Sequence, residues 1–169
     1  MRMLLLTAFG LGNLHPAPGT WGSLFTIVIV AALLAAKASN TSINIALIVL
    51  LVLFSVMCIA WVPWAEQVLG KKDPGSVVAD EVAGVALTLL LLPWKTPGID
   101  EKAWLWNIAL LVIGFAMFRL FDITKPPPVK LVEQLPGGWG LLIDDLVAAV
   151  YALIATQLLA RLALPAVWS

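Results

Sequence analysis

Long apolar runs, separated by short polar ones, dominate the chain. Five of them invite a membrane reading: residues 23–36, 43–64, 77–94, 104–123 and 141–164. A helix needs about 20 residues to cross the hydrocarbon core of a bilayer. The second run meets that length without a charge. The first is short, so its helix is stubby, tilted or starts earlier, near Gly19. The third reaches full length only if Asp80 and Glu81 lie inside it. Tryptophans at 21, 64, 94, 104 and 139 fall near run ends, as an interfacial aromatic belt requires. The pattern predicts an all-α, polytopic membrane helix bundle. It has about four to five membrane helices in a single domain, residues 1–169, preceded by an interfacial helix and loop over residues 1–22.

Composition agrees. The 169 residues are 62% hydrophobic and 12% charged, with formal net charge zero. A soluble domain carries about twice that charge. Nothing basic enough for a nucleic-acid partner is present, and the lone Cys58, inside an apolar run, excludes an intrachain disulfide.

Charge placement is less even than charge content. With five crossings, one membrane face collects Glu66, Asp73, Asp80, Glu81, Asp122, Glu133, Asp144 and Asp145, eight of the ten acids. It also collects Arg2, Lys71, Lys72, Arg119, Lys125 and Lys130, against four basic residues opposite. That weak positive-inside bias predicts a cytoplasmic charged face. If the first run does not cross, the first loop changes sides.

Four segments on this face carry candidate chemistry. "GNLHPAPGTWGS" (12–23) is too rich in Gly and Pro for regular helix, and offers Thr20 or Ser23 as an N-cap; hydroxyls and free N–H groups there suit an anion. In "DPGSVVADEVAG", Asp80 and Glu81 sit one turn into a helix, about 100° apart on its surface. In "FRLFDITKPPPVKLVEQL", Arg119 and Asp122 share a helix face, Lys125 precedes a stiff proline exit, and 129–135 read as weakly amphipathic. In "GGWGLLIDDLVAA", Asp144 and Asp145 open the last run behind glycines that permit close backbone approach.

Singly, each segment has a plain structural reading: a capped helix, dipole stabilisation, an intrahelical ion pair. Together they put five carboxylates on one face, whose mutual repulsion in low dielectric a divalent cation relieves. A hard cation, typically Mg²⁺, takes carboxylate and phosphate oxygens. Arg119 and Lys125 suit phosphate as a fork and a point charge. The residues therefore suggest a metal-dependent phosphate site at a membrane surface, with a lipid substrate. His15, the single histidine, is read as loop packing, and no serine or cysteine beside a histidine provides a nucleophilic triad. Metal-activated water and an aspartyl-phosphate on Asp122 both stay open. A small proton- or ion-coupled transporter is the main alternative, although its acids belong near the midplane. A structural subunit is the third reading.

"PAPGTWGSL", "VADEVAG", "FRLFDITKPPPV" and "GGWGLLIDDLVAA" resemble, in order and spacing, the phosphatidylglycerophosphatase A family, from about Leu11 to Ala155. The resemblance implies a Mg²⁺-dependent phosphatase of the bacterial inner membrane that converts phosphatidylglycerophosphate to phosphatidylglycerol in phospholipid biosynthesis. The matching positions are Pro18, Gly19, Thr20, Gly22 and Ser23; Asp80 and Glu81; Arg119, Asp122, Lys125 and Pro126; and Gly137, Gly138, Asp144 and Asp145. On this reading Asp80, Glu81, Asp144 and Asp145 supply the metal ligands. Gly19, Thr20, Ser23, Arg119 and Lys125 bind phosphate, and Asp122 completes the catalytic set. Oligomeric state is open.

Overall fold

The computed structural model describes residues 1–95, 101–127, 135 and 137–165. Its helices are α1 (Arg2–Leu6), α2 (Pro18–Ala35), α3 (Asn40–Leu69), α4 (Ala79–Thr88), α5 (Glu101–Thr124) and α6 (Gly138–Leu158), with a 3₁₀ turn at Leu11–Asn13 and a π-helical turn at Leu159–Ala163. No strand occurs among the described residues. The amphipathic stretch expected over 129–135 lies outside them, save Leu135.

Among the described residues, four helices are long and apolar enough to cross a membrane: Pro18–Ala35, Asn40–Leu69, Lys102–Thr124 and Gly138–Ala163. Large apolar side chains stay exposed along α3, among them Ile45, Val49, Val52 and Val56. In a membrane protein such a stripe faces lipid, since the bilayer and not a core is its apolar partner.

α2 corrects, for residues 18–23, the expectation that 12–23 holds no regular helix, while 14–17 is irregular as expected. It starts at Pro18, whose fixed φ and missing N–H suit the first helical position. Its N-cap is Ala17, with no side-chain cap, so neither Thr20 nor Ser23 caps it. α3 is capped by the Ser39 hydroxyl, which accepts from the Ser42 N–H at 3.1 Å, and ends at Gly70 in the left-handed conformation (φ +64°).

The third apolar run differs most. A helix was expected over 77–94; only Ala79–Thr88 is helical, ten residues and about 15 Å. The chain nevertheless continues to the far end of the bundle, because side chains satisfy the backbone that helix no longer satisfies. Leu91 N–H donates to Asn44 Oδ1 at 2.7 Å. Gln157 Nε2 donates to the Leu90 carbonyl at 3.1 Å and Arg161 Nη2 to the Leu91 carbonyl at 3.3 Å. Trp106 Nε1 donates to the Pro93 carbonyl at 2.9 Å, and the Asn107 amide bonds both backbone groups of Lys95. Irregular backbone at membrane depth survives only with such partners. Trp94, assigned from the sequence to the aromatic belt, is instead buried in the core.

α4 is the centre of the molecule, packed against α2, α3, α5 and α6. Its small residues permit this. A Cβ on Gly84 would meet the Phe118 ring of α5, and Thr26 on α2 donates to the Val82 carbonyl at 3.1 Å. Small residues let helix backbones approach where no hydrophobic force drives helices together. Where α6 begins, a Cβ on Gly138 would collide with the Cys58 carbonyl of α3. α1 fixes the start of α4 from the other side, the Leu6 carbonyl accepting from Val78 N–H at 2.9 Å. The result is a bundle in which the beginnings of α2, α4 and α6 and the end of α5 meet at one end.

Candidate active site

That meeting point encloses a cavity of about 280 Å³. α2 contributes Pro18 and Gly19, and the loop before α4 contributes Asp73 and Gly75. α4 contributes Asp80 and Glu81, α5 and its exit Arg119, Asp122 and Lys125, and α6 Leu141, Asp144 and Asp145. All seven residues expected to be catalytic thus line one space, as does Gly19. Thr20 and Ser23 do not line it. Ser23 is fully buried and its hydroxyl donates to the Gly19 carbonyl at 2.8 Å, which ties up its proton inside α2.

Asp80, Glu81 and Asp145 form the innermost group. Each offers a carboxylate oxygen within 4.8 Å of the other two. Although neighbours on a helix diverge, the side chains of Asp80 and Glu81 both reach this point. Asp80 Oδ1, Glu81 Oε2 and Asp145 Oδ2 are buried with no hydrogen-bond partner among the described residues. Three acidic oxygens gathered out of water with nothing donating to them are unfavourable in a bare protein. The arrangement fits a divalent cation, and the three can hold one.

Asp144 plays a different part from its neighbour. Its Oδ2 pairs with Lys125 Nζ at 2.7 Å, and its Oδ1 accepts from Asp145 N–H at 3.0 Å. Consecutive residues on α6 point about 100° apart, so one aspartate faces the acidic group and the other faces the lysine. Lys125 sits just past α5 in the left-handed region (φ +42°), its N–H bonded to the Phe121 carbonyl at 2.9 Å. A lysine there is strained, and the surroundings must impose it. Tyr151 Oη donates to the Pro127 carbonyl at 3.0 Å and so anchors the proline exit to α6.

Arg119 and Asp122 form the i,i+3 pair that their spacing predicts, with Arg119 Nη1 at 2.7 Å from Asp122 Oδ2. The guanidinium also lies over the start of α2. A Cβ on Gly19 would stand 3.0 Å from Arg119 Nη1 and against Glu81 Oε1. Gly19 is therefore a glycine because Glu81 and Arg119 occupy the space a side chain needs. Cation and anion groups are divided: acids at the floor, Arg119 and Lys125 at the wall, both held by carboxylates of their own. An anion entering this cavity would meet the positive charge of Arg119 and Lys125.

Sequence reasoning placed Asp73 on this face but only as a turn residue, and it missed Leu141. Asp73 lines the cavity because its backbone takes the left-handed conformation (φ +50°) before Pro74.

The profile of the phosphatidylglycerophosphatase A family matches residues 4–160. The chain is 39% identical over 152 residues to phosphatidylglycerophosphatase A of Haemophilus influenzae, covering 89% of this chain and 83% of that protein. It is 34% identical over 151 residues to phosphatidylglycerophosphatase A of Escherichia coli K12, covering 87% and 76%. It is 37% identical over 157 residues to a Bacteroides thetaiotaomicron protein provisionally named a phosphatidylinositol-3-phosphatase, covering 91% and 90%. No solved structure matches. With four motifs meeting in one acidic cavity and a family match over nearly the whole chain, the protein belongs to the phosphatidylglycerophosphatase A family and is a lipid phosphatase.

Proposed function

We propose that the chain hydrolyses the terminal phosphomonoester of phosphatidylglycerophosphate, releasing inorganic phosphate and phosphatidylglycerol, with Mg²⁺ as cofactor. The observation that carries this is the convergence of Asp80, Glu81 and Asp145, three carboxylates that each bury a partnerless oxygen, beside Arg119 and Lys125. Asp80, Glu81 and Asp145 hold the cation, which supplies Lewis-acid stabilisation of phosphoryl charge when bound. Asp144 holds Lys125 in place.

Arg119 grips the phosphoryl oxygens with its fork, and Asp122 orients that fork. A water oxygen attacks phosphorus as the bond from phosphorus to the glycerol oxygen breaks. A carboxylate of the cluster takes the proton the water loses. Lys125 meets the negative charge growing on the leaving oxygen, which takes up the proton that the carboxylate accepted and departs as the lipid alcohol. Positioning and charge stabilisation supply most of the acceleration in such transfers. The engagement of Asp122 with Arg119 supports water, and not Asp122, as the nucleophile.

The test is phosphate release from phosphatidylglycerophosphate by purified protein in a neutral detergent with Mg²⁺. One equivalent of phosphate per phosphatidylglycerol formed is the expected result. No release from folded protein sinks the assignment.

The charged end of the bundle faces the cytoplasm of a bacterial inner membrane in this reading, supported by the basic residues gathered there. A membrane-impermeant amine reagent then labels Lys71 and Lys72 only in permeabilised cells. Labelling in intact cells reverses the orientation.

A further inference from the structure

The catalytic cavity does not end at Asp144. It shares Asp73, Leu141 and Asp144 with a second cavity of about 210 Å³, whose other walls include Glu66 and Lys72. That cavity in turn shares Glu66, Lys72 and Gly137 with a third, more open one of about 600 Å³, which adds Lys71 and Gln67. The three lie in a row, and their chemistry changes along it. The first is built for a phosphomonoester. The second mixes carboxylates with one lysine. The third carries two lysines and one glutamate.

The walls of this row are held in place. Asp73 N–H donates to Glu66 Oε1 at 3.1 Å, tying the end of α3 to the loop before α4. The left-handed Gly70 turns the chain so that Lys71 and Lys72 follow directly. Gly137, with a positive φ (+59°) that favours glycine, passes close to Pro63, where a Cβ would lie 3.2 Å from Pro63 Cγ. Among the described residues no carboxylate lies within ion-pair distance of Lys71 or Lys72. Their charge is available to a ligand.

We propose that this row is a headgroup subsite for lipids that carry two phosphates separated by a polyol. Glu66 and Asp73 accept hydroxyls of the polyol in the middle cavity. Lys71 and Lys72 bind the phosphodiester that joins the polyol to the diacylglycerol. The inference rests on the lipid-phosphatase function proposed above and adds what selects the substrate. A phosphomonoester placed directly on diacylglycerol, as in phosphatidate, reaches only the first cavity. The middle cavity takes the glycerol of phosphatidylglycerophosphate or a larger polyol by the same contacts, so the lysines and not the carboxylates set the requirement for a second phosphate.

The experiment compares wild type with the Lys71→Gln/Lys72→Gln double variant, purified in a neutral detergent. Three quantities are read: KM and kcat on phosphatidylglycerophosphate, inhibition by its deacylated headgroup, and inhibition by inorganic phosphate. The double variant raises KM roughly tenfold, the scale of charge-assisted contacts to phosphate, with kcat within about twofold. Inhibition by the deacylated headgroup weakens by a similar factor, and inhibition by inorganic phosphate does not change. Lys71→Arg/Lys72→Arg restores wild-type KM. An unchanged KM in a wild-type-active preparation overturns the subsite alone. Equal weakening of both inhibitors overturns it too, since the lysines then act on the monoester. An inactive wild type overturns the proposed function, and the subsite falls with it.

Discussion

Replacing Asp145 by asparagine abolishes Mg²⁺-dependent phosphate release, with kcat/KM falling by at least about 10³-fold. On the proposed metal site, loss of one of three anionic ligands would remove much of the Lewis-acid stabilisation, which is worth several kcal/mol, and each 1.4 kcal/mol is tenfold in rate. Misfolding is separated from this by the sign of the stability change. In metal-free protein the variant is at least as stable as wild type, because a buried carboxylate crowded by two others is gone. If the three carboxylates hold the ion, Mg²⁺ is expected to raise the melting temperature of wild type, since it then binds the folded state and not the unfolded chain. It leaves the Asp145→Asn melting temperature nearly unchanged. A variant that loses activity but keeps a full Mg²⁺-induced rise would remove Asp145 from the metal site. Asp144→Asn behaves differently: it loses the partner of Lys125 and keeps the Mg²⁺-induced rise.

The second large effect belongs to Arg119. Arg119→Lys lowers kcat/KM by about 10²- to 10³-fold, the range found when one positioned donor to transition-state charge is removed. The charge is kept and the fork is lost, and a lysine at this position cannot bridge Asp122 and two phosphoryl oxygens together. Because the interaction strengthens in the transition state, the loss falls mainly on kcat. A loss confined to KM would mean that Arg119 binds substrate and transition state alike. Measuring kcat and KM separately decides this.

Hydropathy made the four long helices legible because each satisfies its own backbone and shows lipid an apolar surface. It overstated α4 for the same reason. A hydropathy window cannot register that Asn44, Gln157 and Arg161, distant in sequence, supply the hydrogen bonds that let the chain leave helix at Thr88. The site was legible as one Gly- and Pro-rich entry and three charged motifs on one face, and the structure brings Gly19, Asp80, Glu81, Arg119, Asp122, Lys125, Asp144 and Asp145 into one cavity. Their division of labour was not legible. Asp144 and Asp145 are indistinguishable in sequence, and only helix phase turns one to Lys125 and the other to Asp80 and Glu81. Thr20 and Ser23 looked like helix caps because Pro18 and Gly19 looked like helix breakers; a proline at the first helical position reverses that reading. Glu66 and Lys72 were placed on the charged face, but their place beside the cavity was not legible, because α3 runs on to Leu69, past the apolar run that defined it, and the Gly70 turn follows.

A divalent-metal centre formed by Asp80, Glu81 and Asp145 is tested most directly by titrating the purified protein with Mn²⁺ and following the free ion by electron paramagnetic resonance. Wild type is predicted to show saturable binding that Mg²⁺ displaces, and Asp145→Asn and Asp80→Asn to lose it while folded. Binding of equal strength in wild type and both variants would contradict the account.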